Sequence, residues 1–424
     1  MAISKYLLPL ALVVWLTAPP AQAGRNILFI IIDDMRLDTQ ALTPNIDAFA
    51  ATSTNYTNAY ATVPACIGSR ASLLTGMKPS THGLTSGFVS PQTYNDFYNA
   101  PSLTTLPEEL SAAGYYAATM GKVNHIAFPA HWDLLQPFTT IEIYRDHFPL
   151  NPGPDGTYFN PILLPAGDTH PDQEVASWAT NFLNTYSGPA PFFLAIGFEQ
   201  PHVPWVLPQS YYDLYPSPAA HVPPVDDFDD EPGVAETMAM APLIDGVPQH
   251  TMVVNAGKAE DYTGAYLAAM SHTDDMVGQV INALQASGYA SSTDIVLLSD
   301  HGYHLGEKSH WRKLTFWEPA VRVPLMINSP ALSPGDITAP VSLLDVAPTI
   351  LDLAGATAPA QFEGVSLTTG ASAVEIYLDD GMATVSGHTK TIDYFLGLPG
   401  SNHNASYDLL TDPGELVNLT PPGC

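Results

Sequence analysis

The chain is short of cysteine and short of positive charge, and each shortage excludes something. Only Cys66 and Cys424 occur in 424 residues, and the second is the last residue. A multi-disulfide scaffold is therefore excluded, and a Cys66–Cys424 bridge would have to pair the internal thiol with the chain's own end. Thirteen Lys and Arg stand against 42 Asp and Glu, a formal net charge of −29. A field of that sign repels nucleic acid and anionic membrane surfaces, so neither is an expected partner. Long apolar runs are missing as well. The N-terminal one, residues 6–16, is too short to span a bilayer comfortably, and no later stretch is long and apolar enough to cross one. Low-complexity tracts and internal repeats are also absent, and 46% of the residues are hydrophobic, which argues against disorder.

What is present begins with an export signal. Lys5 supplies a short positive region, residues 6–16 an apolar one, and Ala21-Gln22-Ala23 a small-x-small cleavage site. Residues 1–23 are read as a signal peptide cut after Ala23, which makes the mature protein secreted or periplasmic, without a transmembrane segment. In an oxidising compartment a single internal thiol is conspicuous. Cys66 is therefore read as present for chemistry.

The chain is long enough for one large domain with a satellite. Residues 26–32, 115–120, 192–198, 293–298 and 323–327 are apolar runs of strand length, and the first four end in or lead to polar groups. Helical spacing occupies residues 44–52, 69–75, 106–113, 172–186, 256–287 and 341–353 between them. This alternation predicts an α/β fold, a large and mostly parallel sheet sandwiched by helices, with ligands at the carboxyl ends of the strands. Residues 126–170 and 203–250, rich in Pro, Asp and aromatics, are expected to form long ordered loops over that edge. From about residue 371 short strand-like pieces predict a small C-terminal α+β subdomain, 371–424, after a main domain at 24–370.

The strand ends carry the chemistry. Asp33-Asp34 follow the first, Gly121-Lys122-x-x-His125 the second, Gln200-Pro201-His202 the third and Asp300-His301 the fourth. Three carboxylates and an imidazole on one rim suit a hard divalent cation, calcium or else magnesium. Without a cation those carboxylates would repel one another. Taken singly, each has a plainer reading: a strand-terminal Asp is more often a helix cap than a ligand, and the acidic run at residues 226–231 is a solvated surface. Trp132, Tyr144, Trp205 and Tyr303 are candidates to line a sugar site, with packing as the competing reading.

Together these residues resemble the type I sulfatases. Cys66-Ile67-Gly68-Ser69-Arg70 followed by Leu74-Thr75-Gly76 is similar to that family's Cys-x-Pro-Ser-Arg and Leu-Thr-Gly signature. Asp-Asp, Gly-Lys-x-x-His, Pro-His and Asp-His-Gly follow in the family's order. Residues 300–307, DHGYHLGE, with Lys313 beyond, look most like the iduronate-2-sulfatase branch, and residues 407–419 resemble the family's closing motif. The likeness runs from about residue 25 to 420. It implies an alkaline phosphatase-like fold and hydrolysis of an O-sulfate ester, from a sulfated small molecule or carbohydrate. It implies that Cys66 is oxidised during export, by a formylglycine-generating maturase, to Cα-formylglycine, whose hydrate attacks sulfur. One calcium ion (magnesium is the alternative) would be held by Asp33, Asp34, Asp300 and His301 together with the modified Cys66. Arg70 and Lys122 would hold the diol, His125 would serve as base, and His202 and Lys313 would bind sulfate and assist the leaving group. Two alternatives stay open: a phosphodiester or phosphonate monoester hydrolase of the same superfamily, and an unmodified, inactive carbohydrate-binding relative, against which the intact cation set argues.

Two residues depart from the family pattern. Gly68 stands where the motif has proline, and Gly68→Pro is expected to raise the modified fraction if recognition by the maturase is limiting. Gln200 stands where the nearest branch has lysine, which points to a less highly charged substrate or a differently built leaving-group side.

Overall fold

The computed structural model describes residues 24–37, 40–87, 89–141, 161–223, 231–241, 249–395 and 404–420. The expected signal peptide at 1–23, Tyr144, Cys424 and positions 226–230 of the acidic run lie outside them. Among the described residues no helix is long and apolar enough to cross a membrane.

Eight strands form the main sheet: β1 (Asn26–Ile32), β2 (Thr54–Tyr56), β3 (Tyr116–Gly121), β4 (Leu134–Gln136), β5 (Phe192–Phe198), β6 (Thr293–Ser299), β7 (Leu325–Asn328) and β8 (Gly335–Ile337). Their order across the sheet is β8-β2-β7-β6-β1-β5-β3-β4. All seven residues of β1 are buried, because helices cover both faces. Leu28, Ile30 and Ile32 enter one core with α3 (Pro171–Thr185) and α4 (Ala259–Ala286). Ile27, Phe29 and Ile31 enter the other, shared with α1 (Cys66–Thr75), α2 (Leu106–Ala112) and α5 (Val346–Leu353). A two-residue period on a strand with two dry faces demands an unbroken apolar run, which is what the sequence has.

The register positions the chemistry. β1 lies parallel to β5 and β6, with Ile32 level with Phe198 on one side and Ser299 on the other. The next residues, Asp33, Glu199 and Asp300, therefore leave the sheet in one row. β3 is parallel to β5 with Gly121 level with Gly197. A Cβ at Gly121, where φ is +85°, would lie 2.0 Å from the Gly197 carbonyl oxygen. That close approach brings Lys122 to the same row, and only glycine permits it.

The sheet is mixed at one side. β7 runs antiparallel to β6, and β2 antiparallel to β7. Residues 341–353, expected to be one helix, begin as a two-residue strand, Val341–Ser342, and pass through a short 3-10 turn before α5. The Ser342 hydroxyl accepts the Leu344 N–H at 3.2 Å and starts that turn. The described parts of the long loops hold short elements, among them Ile162–Leu163 paired in parallel with Val206–Leu207.

Four antiparallel strands, β9 (Val374–Leu378), β10 (Gly381–Ser386), β11 (Thr389–Tyr394) and β12 (Asn404–Asp408), make a second sheet near the C-terminus. Its apolar face packs on Tyr60, Val63, Phe316 and Trp317 from the preceding part of the chain. Lys390 of β11 is fully buried, with Nζ 2.9 Å from Glu318 and 2.8 Å from Glu415.

Candidate active site

The row of strand ends meets the start of α1, and with the loops that follow they bring all ten of the expected residues together. Cys66 is the first residue of α1, and its sulfur is the centre of the cluster. Sγ lies 3.4 Å from Asp33 Oδ1, 3.2 Å from His301 Nε2 and 3.2 Å from Lys313 Nζ. Burial raises the thiol's pKa, but Lys313, Lys122 and His301 outweigh it and hold the group well below its ordinary value. Position 66 is thus built for a negatively charged atom.

Around it the charges alternate. Arg70, fully buried, places Nε 2.7 Å from Asp300 Oδ2 and Nη2 3.2 Å from Asp33 Oδ1. It also donates to the carbonyl oxygens of Lys122 and, at 3.3 Å, Val123. Lys122 Nζ pairs with Asp33 Oδ2. Lys313 Nζ lies 2.6 Å from Asp34 Oδ1. Burial and the Cys66 thiolate push Asp33 up, yet Lys122, Arg70 and His202 together hold it below the usual carboxylate range. Asp300 goes the other way. Burial raises it to about 6 against the opposing pull of Arg70 and His301. His301 is raised to about 9, because the Asp300 carboxylate and the thiolate overcome the burial that disfavours its charge.

His202 joins from the loop after β5. Its side chain, Asp34 and Cys66 present ligand-type atoms within 4.8 Å of one another. Its Nδ1 lies 2.5 Å from the Val203 carbonyl, which makes Nδ1 the protonated nitrogen and leaves Nε2 as the second contact. His125 is exposed at the rim, within hydrogen-bonding reach of the Cys66 sulfur, with its backbone N–H donated to Tyr94 Oη at 3.1 Å.

The donor set fits a hard cation. Asp33, Cys66, Asp300 and His301 offer atoms within 4.8 Å of one another, all buried. Asp34 Oδ2 is buried without a hydrogen-bond partner, an uncommon state for a carboxylate oxygen and one that coordination would satisfy. His301 Nδ1 lies 3.1 Å from the Gly302 carbonyl and 3.3 Å from Asp34 Oδ1, which leaves Nε2, 3.2 Å from the Cys66 sulfur, as the nitrogen free to coordinate. A second group at ligand spacing, His170, Asp172 and His272, does not fit. His170 Nδ1 accepts the Asp172 N–H at 3.0 Å, so its Nε2 carries the proton and cannot coordinate.

Of the candidate aromatics, the three among the described residues turn out to be core. Trp132 stacks on Phe193 with ring centroids 5.7 Å apart. Tyr303 stacks on Tyr266 and is buried. Trp205, also buried, donates its indole N–H to the Pro201 carbonyl at 2.7 Å. Gln200 is buried too, donating Nε2 to the Pro204 carbonyl at 2.9 Å. Its side chain turns inward, so its presence in place of lysine bears on the loop's internal support. Several supporting groups escaped the sequence reading. Ser69 Oγ donates to the Asp300 carbonyl at 2.6 Å, Tyr266 Oη to the Asp34 carbonyl at 2.7 Å, and Asp172 accepts the amides after β5. Ser69 sits inside the motif and could have been singled out; Asp172 reads as an ordinary first-turn helix residue.

Comparison with known proteins places this architecture. A sulfatase family model matches residues 25–356. A sulfatase of Formosa agariphila is 33% identical over 421 residues, covering 93% of this chain and 82% of that protein. Iduronate 2-sulfatase of Mus musculus is 32% identical over 72% of this chain and 59% of its own length. Among solved structures, a protein in complex with its substrate D-glucosamine-2-N,6-O-disulfate superposes with a TM-score of 0.73 at 21% identity, covering 93% of each chain.

Proposed function

The chain belongs to the sulfatase family and is a sulfuric ester hydrolase, and from that premise we propose that it is an exported, calcium-dependent enzyme acting through a formylglycine made from Cys66. The observation that carries the reading is the surrounding of the Cys66 sulfur, a helix N-terminal atom with Lys313 and His301 each at 3.2 Å and a carboxylate at 3.4 Å. A bound calcium ion supplies Lewis acidity and charge neutralisation, and a formylglycine supplies a hydrated aldehyde as nucleophile toward sulfur. We assign Asp33, Asp34, Asp300 and His301, with the group at position 66, to the ion.

The remaining roles follow from charge and reach. Arg70 and Lys122 fix the carboxylates through buried ion pairs and lend positive potential to position 66. Preorganised charge of this kind in a dry site is commonly the largest contribution to catalysis. Lys313 and His202 take the sulfate oxygens and support the departing oxygen. His125, exposed at the rim and within reach of position 66, would hold or take a proton there. An acidic protein binds an anion here because a few of its scarce cations converge on one point while the bulk charge stays outside.

A sulfated carbohydrate is the proposed substrate class. Support comes from a similar structure bound to a glucosamine disulfate and from a relative named iduronate 2-sulfatase. The test is turnover by protein exported through its native route, then chelated and reloaded with calcium. Aryl sulfate and sulfated monosaccharides are expected to be cleaved, with activity lost on chelation and restored by calcium. Faster turnover of aryl phosphate diesters than of any sulfate ester would contradict the proposal.

A further inference from the structure

His202 stands on a short stretch, Glu199 to His202, whose backbone polar groups are held by side chains from elsewhere. Asp172, in the first turn of α3, accepts the Glu199 N–H at Oδ1 (2.8 Å) and the Gln200 N–H at Oδ2 (2.9 Å). Thr273, on α4, shares its hydroxyl proton between the Gln200 carbonyl at 3.0 Å and the Ala269 carbonyl of its own helix at 3.1 Å. The Pro201 carbonyl takes the Trp205 indole, and the His202 N–H returns to the Glu199 carbonyl at 2.8 Å. Asp172 and Thr273 are both buried, and their side-chain hydrogen bonds go to the backbone of residues 199 and 200 and, for Thr273, to its own helix, although Asp172 feels the charge of Asp33. Buried backbone groups need partners, and here two helices provide them at the residues directly before the histidine.

We infer that Asp172 and Thr273 are positioning residues, clamping the Glu199–Gln200 backbone from two helices so that His202 is aimed at the reacting group. The inference rests on the role proposed for His202. Each oxygen of Asp172 takes one amide, so Asp172→Asn leaves an amide N–H facing an amide NH2, two donors with no acceptor between them. Thr273→Val removes the hydroxyl and keeps the shape. Either change loosens the loop without touching the metal cluster, and a displacement of about 1 Å at a catalytic group is enough for a loss of ~100-fold.

A general loss of stability would slow every substrate alike, whereas misaiming His202 slows those that need help at the departing oxygen. Steady-state kcat is therefore measured on 4-nitrophenyl sulfate, whose phenol leaves readily, and on an alkyl sulfate, whose alcohol does not. His202→Ala sets the reference pattern. Asp172→Asn and Thr273→Val are each expected to lose about tenfold or more on the alkyl sulfate and less than about threefold on the aryl sulfate. Adding either to His202→Ala is expected to cost little more. If His202→Ala shows the split and the two variants lower both substrates equally, or add fully to it, the clamp is overturned and the histidine's role stands. If His202→Ala itself shows no split, the histidine's role falls and the clamp with it. Thr273→Val is the safeguard should Asp172→Asn fail to fold.

Discussion

At Asp34 the backbone enters the left-handed region, φ 65°, as the chain leaves β1. Asp and Asn tolerate that conformation better than other side chains, and it turns the carboxylate back toward α1. One oxygen takes Lys313 at 2.6 Å and the other has no partner. Asp34→Asn keeps the backbone preference and the shape while removing a ligand charge, and it also removes the charge partner of Lys313. Calcium affinity is expected to fall about tenfold or more, read as a loss of the calcium-dependent rise in Tm relative to the variant's own calcium-free Tm. An undiminished calcium response in Asp34→Asn would remove Asp34 from the metal site.

α1 shows what an element can demand of a sequence motif. Gly68 lies in its first turn, where a Cβ would sit 2.3 Å from the Leu84 carbonyl oxygen and 2.7 Å from Val63 Cγ2. The first of these is backbone and cannot be moved aside by a rotamer change. The helix carrying Cys66, Ser69 and Arg70 is thus seated closer to the Leu84 segment than any side chain at position 68 would permit. The sequence alone presents Gly68 as a departure from the maturation signal and expects proline to raise the modified fraction if recognition by the maturase is limiting. The fold supplies a reason for glycine that has nothing to do with recognition. Gly68→Ala is expected to destabilise the folded protein by about 1–3 kcal/mol, the usual range for overpacking, and Gly68→Pro by at least as much. Denaturant unfolding checks it: an unchanged midpoint and slope for Gly68→Ala would mean that the helix can back away from Leu84 freely. Any gain in modification from proline therefore has to be scored on unfolded chain or peptide, apart from yield of folded enzyme.

Across the whole molecule, the legible parts were those where physics leaves few options. β1, β5 and β6 stood out because a strand dry on both faces must be apolar throughout, and the polar residues directly after them had to share a rim once the strands were parallel. The scarcity of cations made Arg70, Lys122 and Lys313 easy to single out, and the structure gathers all three around one sulfur. Other features could not be read. The direction of β7 depends on which neighbour it pairs with, a long-range choice that leaves no local pattern. Trp205 and Tyr303 look alike in sequence whether they face a sugar or a core, and here the core has them. Asp172 carries a first-turn helix signature that hides its bonds to residues 27 and 28 positions further on. Lys390 and Glu415, distant in sequence, become a buried ion pair only when the second sheet docks.

The central claim is that Cys66 is a precursor, and one measurement reaches it directly. Protein exported through its native route is treated with a carbonyl-reactive hydrazine and digested, and the peptide containing position 66 is weighed and sequenced by mass spectrometry. Labelling at position 66, absent from Cys66→Ser, is expected. An intact, unlabelled Cys66 thiol in protein that still turns over a sulfate ester would contradict the account.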